Sequence, residues 1–408
     1  MNQEIENFIK LVKINTISGS GVSSGGYRNC AKEISNQCRE IGLDTKTLEL
    51  VEGKPIVVAS HYGEDRNLPS LLLTGHYDVV PCDPEKWTVD PFADEKVYGR
   101  GTQDMKCCLA AYIECLRRIK GVYILSIKKI KGIGITLIPL LDEEIGGADG
   151  MGKFVETNFF RSLNVGFALD EGLASPTHQV PVYFGERAIW WIKLKATGDT
   201  GHASRYLAPN GAMEKIHRCC DRALAFREKE AKKYRNGTDI GDIITLNLTS
   251  LKAGKTSDGG LTYALNVIPS EAEAGFDIRI PPTIQDLVTF ENDLKNELTK
   301  GEDGIEYILI NGMKVNPSTS LDIKKNLWWE RFQKTCLNLG LEIVPQIFPA
   351  ATDSRFLRAK NIPCLGFTPI PNTKVLFHDH DEYLPIDVYM NSITIYLEMI
   401  KDLVNLVD

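Results

Sequence analysis

Segments with helical spacing alternate with short apolar runs along the first half of the chain, and such runs are typical of buried strands. The helical segments are 3–13, 27–41, 104–120 and 150–158, and the apolar runs are 55–60, 71–75, 135–141 and 165–169. Strands that alternate with helices favour a layered α/β architecture. The pattern therefore predicts an α/β fold with a mixed, mostly parallel sheet.

The pattern changes at Ala188, where the stretch IWWIKLKATG alternates apolar and polar residues as a half-exposed strand does. From there to about residue 310 the order of elements is β-α-β-β-α-β, which predicts a small two-layer α+β domain. After that, strand and helix patterns alternate again, and the last is a helix that begins at Ile386. A chain of 408 residues is long for one core. We predict a discontinuous domain formed by 1–187 and 311–408, with 188–310 inserted into it.

Composition narrows the class of protein. Hydrophobic residues make up 43% and charged residues 25%, as in ordinary globular proteins. A net charge of -7 argues against nucleic acid or an anionic membrane as the main partner. No stretch of 18 apolar residues, no signal peptide and no CxxC pair is visible among the ten cysteines. These features predict a cytoplasmic protein without membrane spans.

Candidate metal ligands follow apolar runs in both segments of the discontinuous domain. They are His76 and Asp78 after LLLTG, Asp104 after VYGRGTQ, Asp142, Glu143 and Glu144 after ITLIPLL, Asp170 and Glu171 after NVGFAL, and His378 to Glu382 after KVLF. Acidic residues also cap helices and begin turns, so each motif alone has an ordinary structural explanation. In open α/β sheets, however, the carboxyl ends of the strands are where ligands bind. Five such motifs with this mix of residues predict a metal site.

The number of ligands points to two metal ions. One catalytic zinc needs three protein ligands and an open position. Two histidines and three carboxylates suit two zinc ions, about 3.5–4 Å apart, that share one bridging carboxylate. The adjacent pair Glu143–Glu144 then offers one ligand and one free carboxylate that can act as a general base. The pattern alone does not decide which is which.

Several motifs resemble those of one metallohydrolase family. They are GHYDVVP, GRGTQDMK, LDEEIGG, ALDEG, GHAS, NVIP, AATDSRF and HDHDEYL, in this order. The family is that of the zinc-dependent aminoacylases, acetylornithine deacetylases and carboxypeptidases. The resemblance implies two Zn²⁺ per subunit, with His76, Asp104 as the bridge, Glu144, Glu171 and His378 as ligands. It also implies Glu143 as general base, Asp78 as support for His76, a cis peptide bond at Asp104–Met105, and an inserted dimerisation (lid) domain.

Residues of the inserted domain gain a role only through this resemblance. His202 in GHAS is a loop histidine when judged from the sequence alone, whereas in the family it reaches the partner subunit's site and stabilises the oxyanion. Asn266 and Arg279 are a turn residue and a strand-edge charge by themselves, and the family places them near the substrate carboxylate. In the larger domain, Arg355 is the candidate for pairing with a carboxylate, because a guanidinium binds one bidentately.

The implied activity is hydrolysis of N-acyl-L-amino acids to a carboxylate and a free L-amino acid by a cytosolic homodimer. A di- or carboxypeptidase of the same scaffold is the main alternative, although family members with that activity tend to carry Asp at the position of Glu171. A non-catalytic dimeric binding protein is the other, and it is disfavoured because all five ligands and the base are present. Two stretches, VYILSIKKIKGIG after Lys120 and GKTSDGGLTY, are longer than the resemblance suggests. The second can alter acyl-group preference.

Overall fold

The computed structural model describes residues 2–63, 65, 67–88, 96–125, 134–205, 210–256, 262–315 and 317–406. The chain divides into two compact units. The first unit comprises Met1–Phe184, Ser318–Gln346 and Thr352–Asp408, and the second comprises Gly185–Pro317 and Ile347–Ala351. The sequence pattern does not indicate that the five residues Ile347–Ala351 belong to the second unit.

The first unit is built on an eight-stranded sheet. Its order is β1-β2-β5-β3-β6-β15-β7-β14. The central strands β5, β3, β6 and β15 run parallel, whereas β1, β2 and β7 pair antiparallel with their neighbours. The strands of the chain are β1 (Asp44–Val51), β2 (Lys54–His61), β3 (Ser70–His76), β4 (Lys96–Tyr98), β5 (Ile135–Leu140), β6 (Val165–Asp170), β7 (Val180–Glu186), β8 (Ala188–Thr197), β9 (Gly201–His202), β10 (Thr245–Ala253), β11 (Val267–Ile268), β12 (Glu271–Ile280), β13 (Ile305–Gly312), β14 (Ile343–Phe348), β15 (Cys364–Phe367) and β16 (Tyr383–Pro385).

Helices cover both faces of this sheet. Leu71 and Leu73 of β3 pack into one apolar cluster with residues of α1, α2, α3 and α9, while Leu72 packs into another with residues of α4 and α8. Burial on both faces explains why β3 is a continuous apolar run. The helices are α1 (Gln3–Lys13), α2 (Gly26–Glu40), α3 (Lys106–Leu125), α4 (Asn158–Ser162), α5 (Ala212–Arg235), α6 (Leu287–Thr299), α7 (Leu327–Asn338), α8 (Ser354–Ala359) and α9 (Ile386–Val404).

The second unit has the predicted β-α-β-β-α-β order. Its antiparallel sheet has the strand order β10-β12-β8-β13, and α5 and α6 supply the apolar residues that cover one face. Along β8 the buried positions Trp190, Ile192 and Leu194 alternate with more exposed ones. This alternation begins at Ala188, and it is the sequence pattern from which we predicted that an inserted domain starts there. The predicted fold class is confirmed in both units.

Some local predictions differ from the structure. The helix predicted at 150–158 is two pieces, a helical turn at Ala148–Gly152 and then α4, which begins at Asn158 after its N-cap Thr157. The longer stretches of the sequence lie largely outside the described residues, at 126–133 and 257–261. All ten cysteines are described, and each is a free thiol. Within the described residues, no helix has the length and apolar character needed to cross a membrane.

Candidate metal centre

Three neighbouring parallel strands deliver ligand candidates to one edge of the first sheet. Strand β3 ends at His76, and β6 ends at Asp170, directly before Glu171. Only two residues separate the carboxyl end of β5 from the turn that carries Glu143 and Glu144. Because β5 and β6 both pair in parallel with β3, these side chains emerge at the same edge, as the sequence pattern predicts.

Two further candidates come from loops outside this sheet. Asp104 follows β4 through the turn GRGTQ, and His378 precedes β16, which pairs with β4 in a separate two-stranded sheet. The apolar run KVLF before His378 is not a strand, so the strand-end explanation is wrong for this residue. His378 lies in a turn with φ of +63°. The peptide bond between Asp104 and Met105 is cis, as the resemblance implies.

The five predicted ligands form two triplets that share one aspartate. The first triplet is His76, Asp104 and Glu171, and the second is Asp104, Glu144 and His378. Oδ1 of Asp104 lies 3.1 Å from Nε2 of His76, while its Oδ2 lies 3.2 Å from Nε2 of His378. The two carboxylate oxygens therefore face different histidines, which is the arrangement expected of a bridging ligand.

The spacing of the donor atoms suits zinc. Zinc binds imidazole nitrogen and carboxylate oxygen at about 2.0–2.2 Å, and tetrahedral ligands at those distances lie about 3.3–3.6 Å apart. Two further separations are 3.4 Å from His76 Nε2 to Glu171 Oε2 and 2.9 Å from His378 Nε2 to Glu144 Oε2. The side chains thus form two candidate metal sites of the right chemistry and size.

Asp78 lies fully buried beside His76. Nδ1 of His76 hydrogen-bonds the main-chain oxygen of Asp78 at 2.9 Å, and the Asp78 carboxylate lies 3.4 Å from the same nitrogen. A ring N–H donated in this direction leaves Nε2 as the ligand atom and orients the imidazole. The arrangement favours the supporting role that the resemblance implies for Asp78, with the main-chain oxygen as the closer partner.

Ser18 is a contributor that sequence analysis missed. Its hydroxyl donates to Oδ2 of Asp78 at 2.8 Å, and the main-chain N–H of Glu144 lies 3.4 Å from the same oxygen. Asp78 therefore links the His76 strand end to the turn that carries Glu144. No pattern could have indicated Ser18, because 60 residues separate it from Asp78.

Glu143 and Glu144 leave β5 in a tight turn that points them differently. Glu144 belongs to the second triplet, whereas Oε2 of Glu143 lies 3.8 Å from His76 Nε2 and outside both triplets. The preceding residue, Asp142, has φ of +77°, and Lys54 bonds its carboxylate. The turn therefore presents one candidate ligand and one carboxylate outside both triplets.

Arg355 supports the same turn from the other side. Its guanidinium donates to the main-chain oxygen of Gly146 at 2.7 Å and also to that of Thr352. Gly147 has φ of +63°, and a Cβ there would lie 2.2 Å from Oδ1 of Asp353, so only glycine fits this close approach. The contacts describe a bracing residue, and a role of Arg355 in substrate binding stays a prediction.

The histidines of the centre hold their protons tightly when no metal lies between them. Hydrogen bonds to Asp104 and Glu144 raise the pKa of His378 to about 10. For His76, burial opposes protonation, but the nearby carboxylates of Glu171 and Asp104 outweigh it and raise the pKa well above its usual value. Metal ions must displace these protons, so metal affinity is expected to increase with pH.

The carboxylates of the centre divide into two groups. Burial acts to raise the pKa of Asp104, but hydrogen bonds from the two histidines outweigh it, and the pKa is lowered. Burial raises the pKa of Glu143 and of Glu171 well above the ordinary value. A raised pKa is the property that lets a carboxylate take up a proton near neutral pH, and Glu143 has no place in either triplet. Glu143 is therefore suited to proton transfer.

The three candidates of the inserted domain lie in the second unit. His202 and Asn266 are both exposed and lie on or beside the paired strands β9 and β11, where Ala203 donates its N–H to the main-chain oxygen of Asn266. Nδ1 of His202 and the hydroxyl of Ser204 are hydrogen-bonded at 2.8 Å. Arg279 is on β12, about three-quarters buried, and makes a bidentate ion pair with Asp277. Their functional roles stay predictions.

The fold and the centre are those of a metal-dependent hydrolase family. The chain matches peptidase family M20/M25/M40 over residues 72–402, and it belongs to this family. It is similar to aminoacylase-1 of Dictyostelium discoideum, with 41% identity over 99% of this chain and 98% of the relative.

Solved structures with the same fold are more distant in sequence. An M20 family metallo-carboxypeptidase from Sulfolobus solfataricus has a TM-score of 0.71 and 21% identity, and the match covers 99% of both chains. A dinuclear metal-binding peptidase of the M20 family from Bacillus subtilis has a TM-score of 0.68 and 15% identity, covering 99% of this chain and 98% of the other. At these identities the likeness concerns the fold.

Proposed function

We propose that this protein is a di-zinc amidohydrolase that removes the acyl group from N-acyl-L-amino acids. The observation that carries the proposal is the shared carboxylate of Asp104, whose two oxygens face two different histidines. The 41% identity with an aminoacylase-1 over nearly the whole chain supports the choice of substrate class. His76, Asp104 and Glu171 would hold one zinc, and Asp104, Glu144 and His378 the other.

Bound zinc supplies a Lewis acid and lowers the pKa of water towards neutrality. The protein's own groups do the rest. Glu143 accepts the proton of the attacking water through its uncommitted carboxylate, then donates it to the leaving amine. Burial of Glu143 supports this cycle, because it raises the pKa of the carboxyl group and brings the acid and base forms closer in free energy. Asp78 and Ser18 keep the His76 imidazole in its ligand orientation.

The second unit completes the proposal through a homodimer. His202 would stabilise the oxyanion in the partner subunit's site, and Asn266 and Arg279, with Arg355, would bind the α-carboxylate of the substrate. The exposure of His202 and Asn266 supports this, because a group that acts on a neighbouring molecule must be accessible. Arg279 can offer a substrate carboxylate only part of its guanidinium, because two of its nitrogens already donate to Asp277. We further propose a cytoplasmic location.

The test is a hydrolysis screen of N-acetyl-L-amino acids against dipeptides, with the matching N-acetyl-D-amino acids as a stereochemical control. We expect cleavage of the N-acetyl-L compounds. Chelator should abolish the cleavage and added zinc should restore it. The reason is that the proposed reaction needs zinc to lower the pKa of the water that Glu143 deprotonates. Full activity in a verified metal-free sample would overturn the di-zinc proposal.

A peptidase on the same scaffold is the second candidate. The chain shares its fold with a metallo-carboxypeptidase. Deacylation of an N-acyl amino acid and cleavage of a C-terminal peptide bond both hydrolyse an amide beside a carboxylate. Faster cleavage of dipeptides than of N-acetyl amino acids in the same screen would select it. A protein that binds zinc but hydrolyses neither class would instead point to the non-catalytic alternative.

A further inference from the structure

Glu382 is a buried carboxylate close to the metal centre that belongs to neither triplet. It lies four residues after His378, and its side chain is 0% exposed. It accepts hydrogen bonds from two side chains and from three main-chain N–H groups of a single turn. The donors are Arg100 Nη1 at 2.7 Å, Gly101 N–H at 3.1 Å, Gln103 N–H at 2.7 Å, Asp104 N–H at 3.3 Å and Thr102 Oγ1 at 3.4 Å.

A second set of contacts joins the same two loops. The amide nitrogen of Gln103 donates to the main-chain oxygens of Lys374 and Tyr383 at 2.9 and 2.8 Å, and its amide oxygen accepts from the N–H of Leu376 at 2.9 Å. In addition, Arg100 Nη1 donates to the main-chain oxygen of Asp379 at 2.9 Å. The turn 100–104 and the loop 374–383 are thus connected at several points.

These two loops carry the two ligands that the main sheet does not position. Asp104 ends the first loop, and His378 lies in the second with a left-handed backbone. Both belong to the triplet Asp104–Glu144–His378, whereas only Asp104 belongs to the other triplet. The separation of 3.2 Å between Asp104 Oδ2 and His378 Nε2 therefore depends on how the loops are joined.

We propose that Glu382 is a positioning residue that sets the distance between Asp104 and His378 and thereby the affinity of the zinc site containing both. The inference rests on the metal-binding part of the proposed function. An ionised carboxylate only accepts hydrogen bonds, so it can satisfy several converging N–H groups at once. A glutamine of the same shape cannot, because its amide nitrogen would meet N–H donors instead of an acceptor.

The experiment titrates zinc into the metal-depleted full-length protein in competition with a chromophoric chelator. Wild type should bind two equivalents. In Glu382→Gln, one equivalent should bind about 10–100-fold more weakly, the usual effect of losing a partner that orients a ligand, while the other changes less. Glu398→Gln is the matched control. It makes the same chemical change on α9, at a side chain that is 47% exposed and paired with Lys401, and should leave both equivalents unchanged.

A second variant tests the same idea if Glu382→Gln does not fold, as judged by circular dichroism of the metal-free protein. Gln103→Met removes three of the contacts between the loops but leaves the Glu382 carboxylate in place. It should weaken the same equivalent by a smaller factor. Unchanged zinc affinity in a folded variant, or equal weakening of both equivalents, would overturn the inference. A wild-type protein that binds no zinc would overturn the proposed function and this inference with it.

Discussion

The two units carry their candidate residues in opposite ways. In the first unit the candidate ligands are mostly buried and contact one another, so that the His76 ring, at 1% exposure, has four carboxylates within 4 Å. In the second unit His202 and Asn266 are exposed, and the described contact of the His202 ring is to Ser204, two residues away. A centre of the first kind is complete within one chain. The roles proposed for His202 and Asn266 need a second molecule, so substitutions in the two units should have different effects.

The largest expected effect separates two adjacent glutamates of the first unit. Glu143→Gln should retain zinc but lower kcat by at least about 10²–10⁴-fold, because a general base of that strength is lost. Glu144→Gln should lose zinc affinity, because it removes a ligand from the second triplet. Metal analysis of each purified variant, together with steady-state kinetics, checks both. If Glu143→Gln lost metal and Glu144→Gln kept it, the two roles would have to be exchanged.

The next effect concerns the second unit. His202→Ala should lower kcat by about 10²–10³-fold, the usual result of removing one oxyanion donor, with both zinc equivalents retained. Loss of zinc in this variant would contradict the prediction, because it would make His202 part of the metal centre.

A complementation experiment asks whether His202 acts in the partner subunit. His202→Ala has an intact base and Glu143→Gln an intact oxyanion donor, and each should be nearly inactive as a homodimer. Random pairing of equal amounts gives heterodimers in which one site has both groups, so activity should recover to about a quarter of wild type. Subunit exchange demonstrated without recovery would return His202 to a loop histidine or to action within its own chain.

The same difference explains how much the sequence could reveal. Strand-end logic located His76, the Glu143–Glu144 pair and Glu171, because parallel strands bring their carboxyl ends together whatever the details of packing. It gave the wrong reason for His378, since the apolar run before it is a partly buried loop rather than a strand. Strand β1 went unnoticed because it is an exposed edge strand, DTKTLELV, with no apolar run.

Other parts of the site were beyond any local pattern. The hydrogen bond from Ser18 to Asp78 and the contacts of Glu382 with the turn 100–104 depend on tertiary packing between segments 60 and about 280 residues apart. His202 carried no physical signal in the sequence at all, and only the resemblance assigned it a role.

A smaller effect is expected from the support of His76 in the first unit. Ser18→Ala removes the hydroxyl that donates to the buried Asp78 carboxylate, and zinc affinity should fall by about 10-fold. Ser18→Thr keeps a hydroxyl and should restore most of it. Ser20→Ala is the control, because Ser20 is exposed and its hydroxyl bonds the main-chain oxygen of Ile17. Equal zinc affinities in Ser18→Ala and Ser20→Ala would show that Asp78 does not need this donor.

The smallest expected effect is on the stability of the metal-free protein, and it also belongs to the first unit. Hydrogen bonds to Asp104 and Glu144 raise the pKa of His378 from 6.5 to about 10. Because the folded-state pKa is the higher one, this contribution to the free energy of unfolding is fully present below about pH 6.5 and is lost as pH rises through about 10. The raised pKa values of buried Glu143 and Glu171 act in the same direction. Since His378 is half-exposed, solvent screening keeps its share small.

The thermal unfolding temperature of the chelator-treated protein should therefore decrease as the pH rises from 6.5 to 10, the window set by the two pKa values of His378. His378→Asn should make that slope shallower, because the protonated imidazole that pairs with two carboxylates is gone. His217→Asn, at an exposed histidine of α5 in the second unit, should leave the slope as it is. Zinc should widen the gap between loaded and metal-free midpoints as pH rises, because metal binding displaces protons from the same histidines. A metal-free midpoint that rises across this window, or a slope carried by His217 rather than His378, would mean that the ionisation controlling stability lies outside the metal centre.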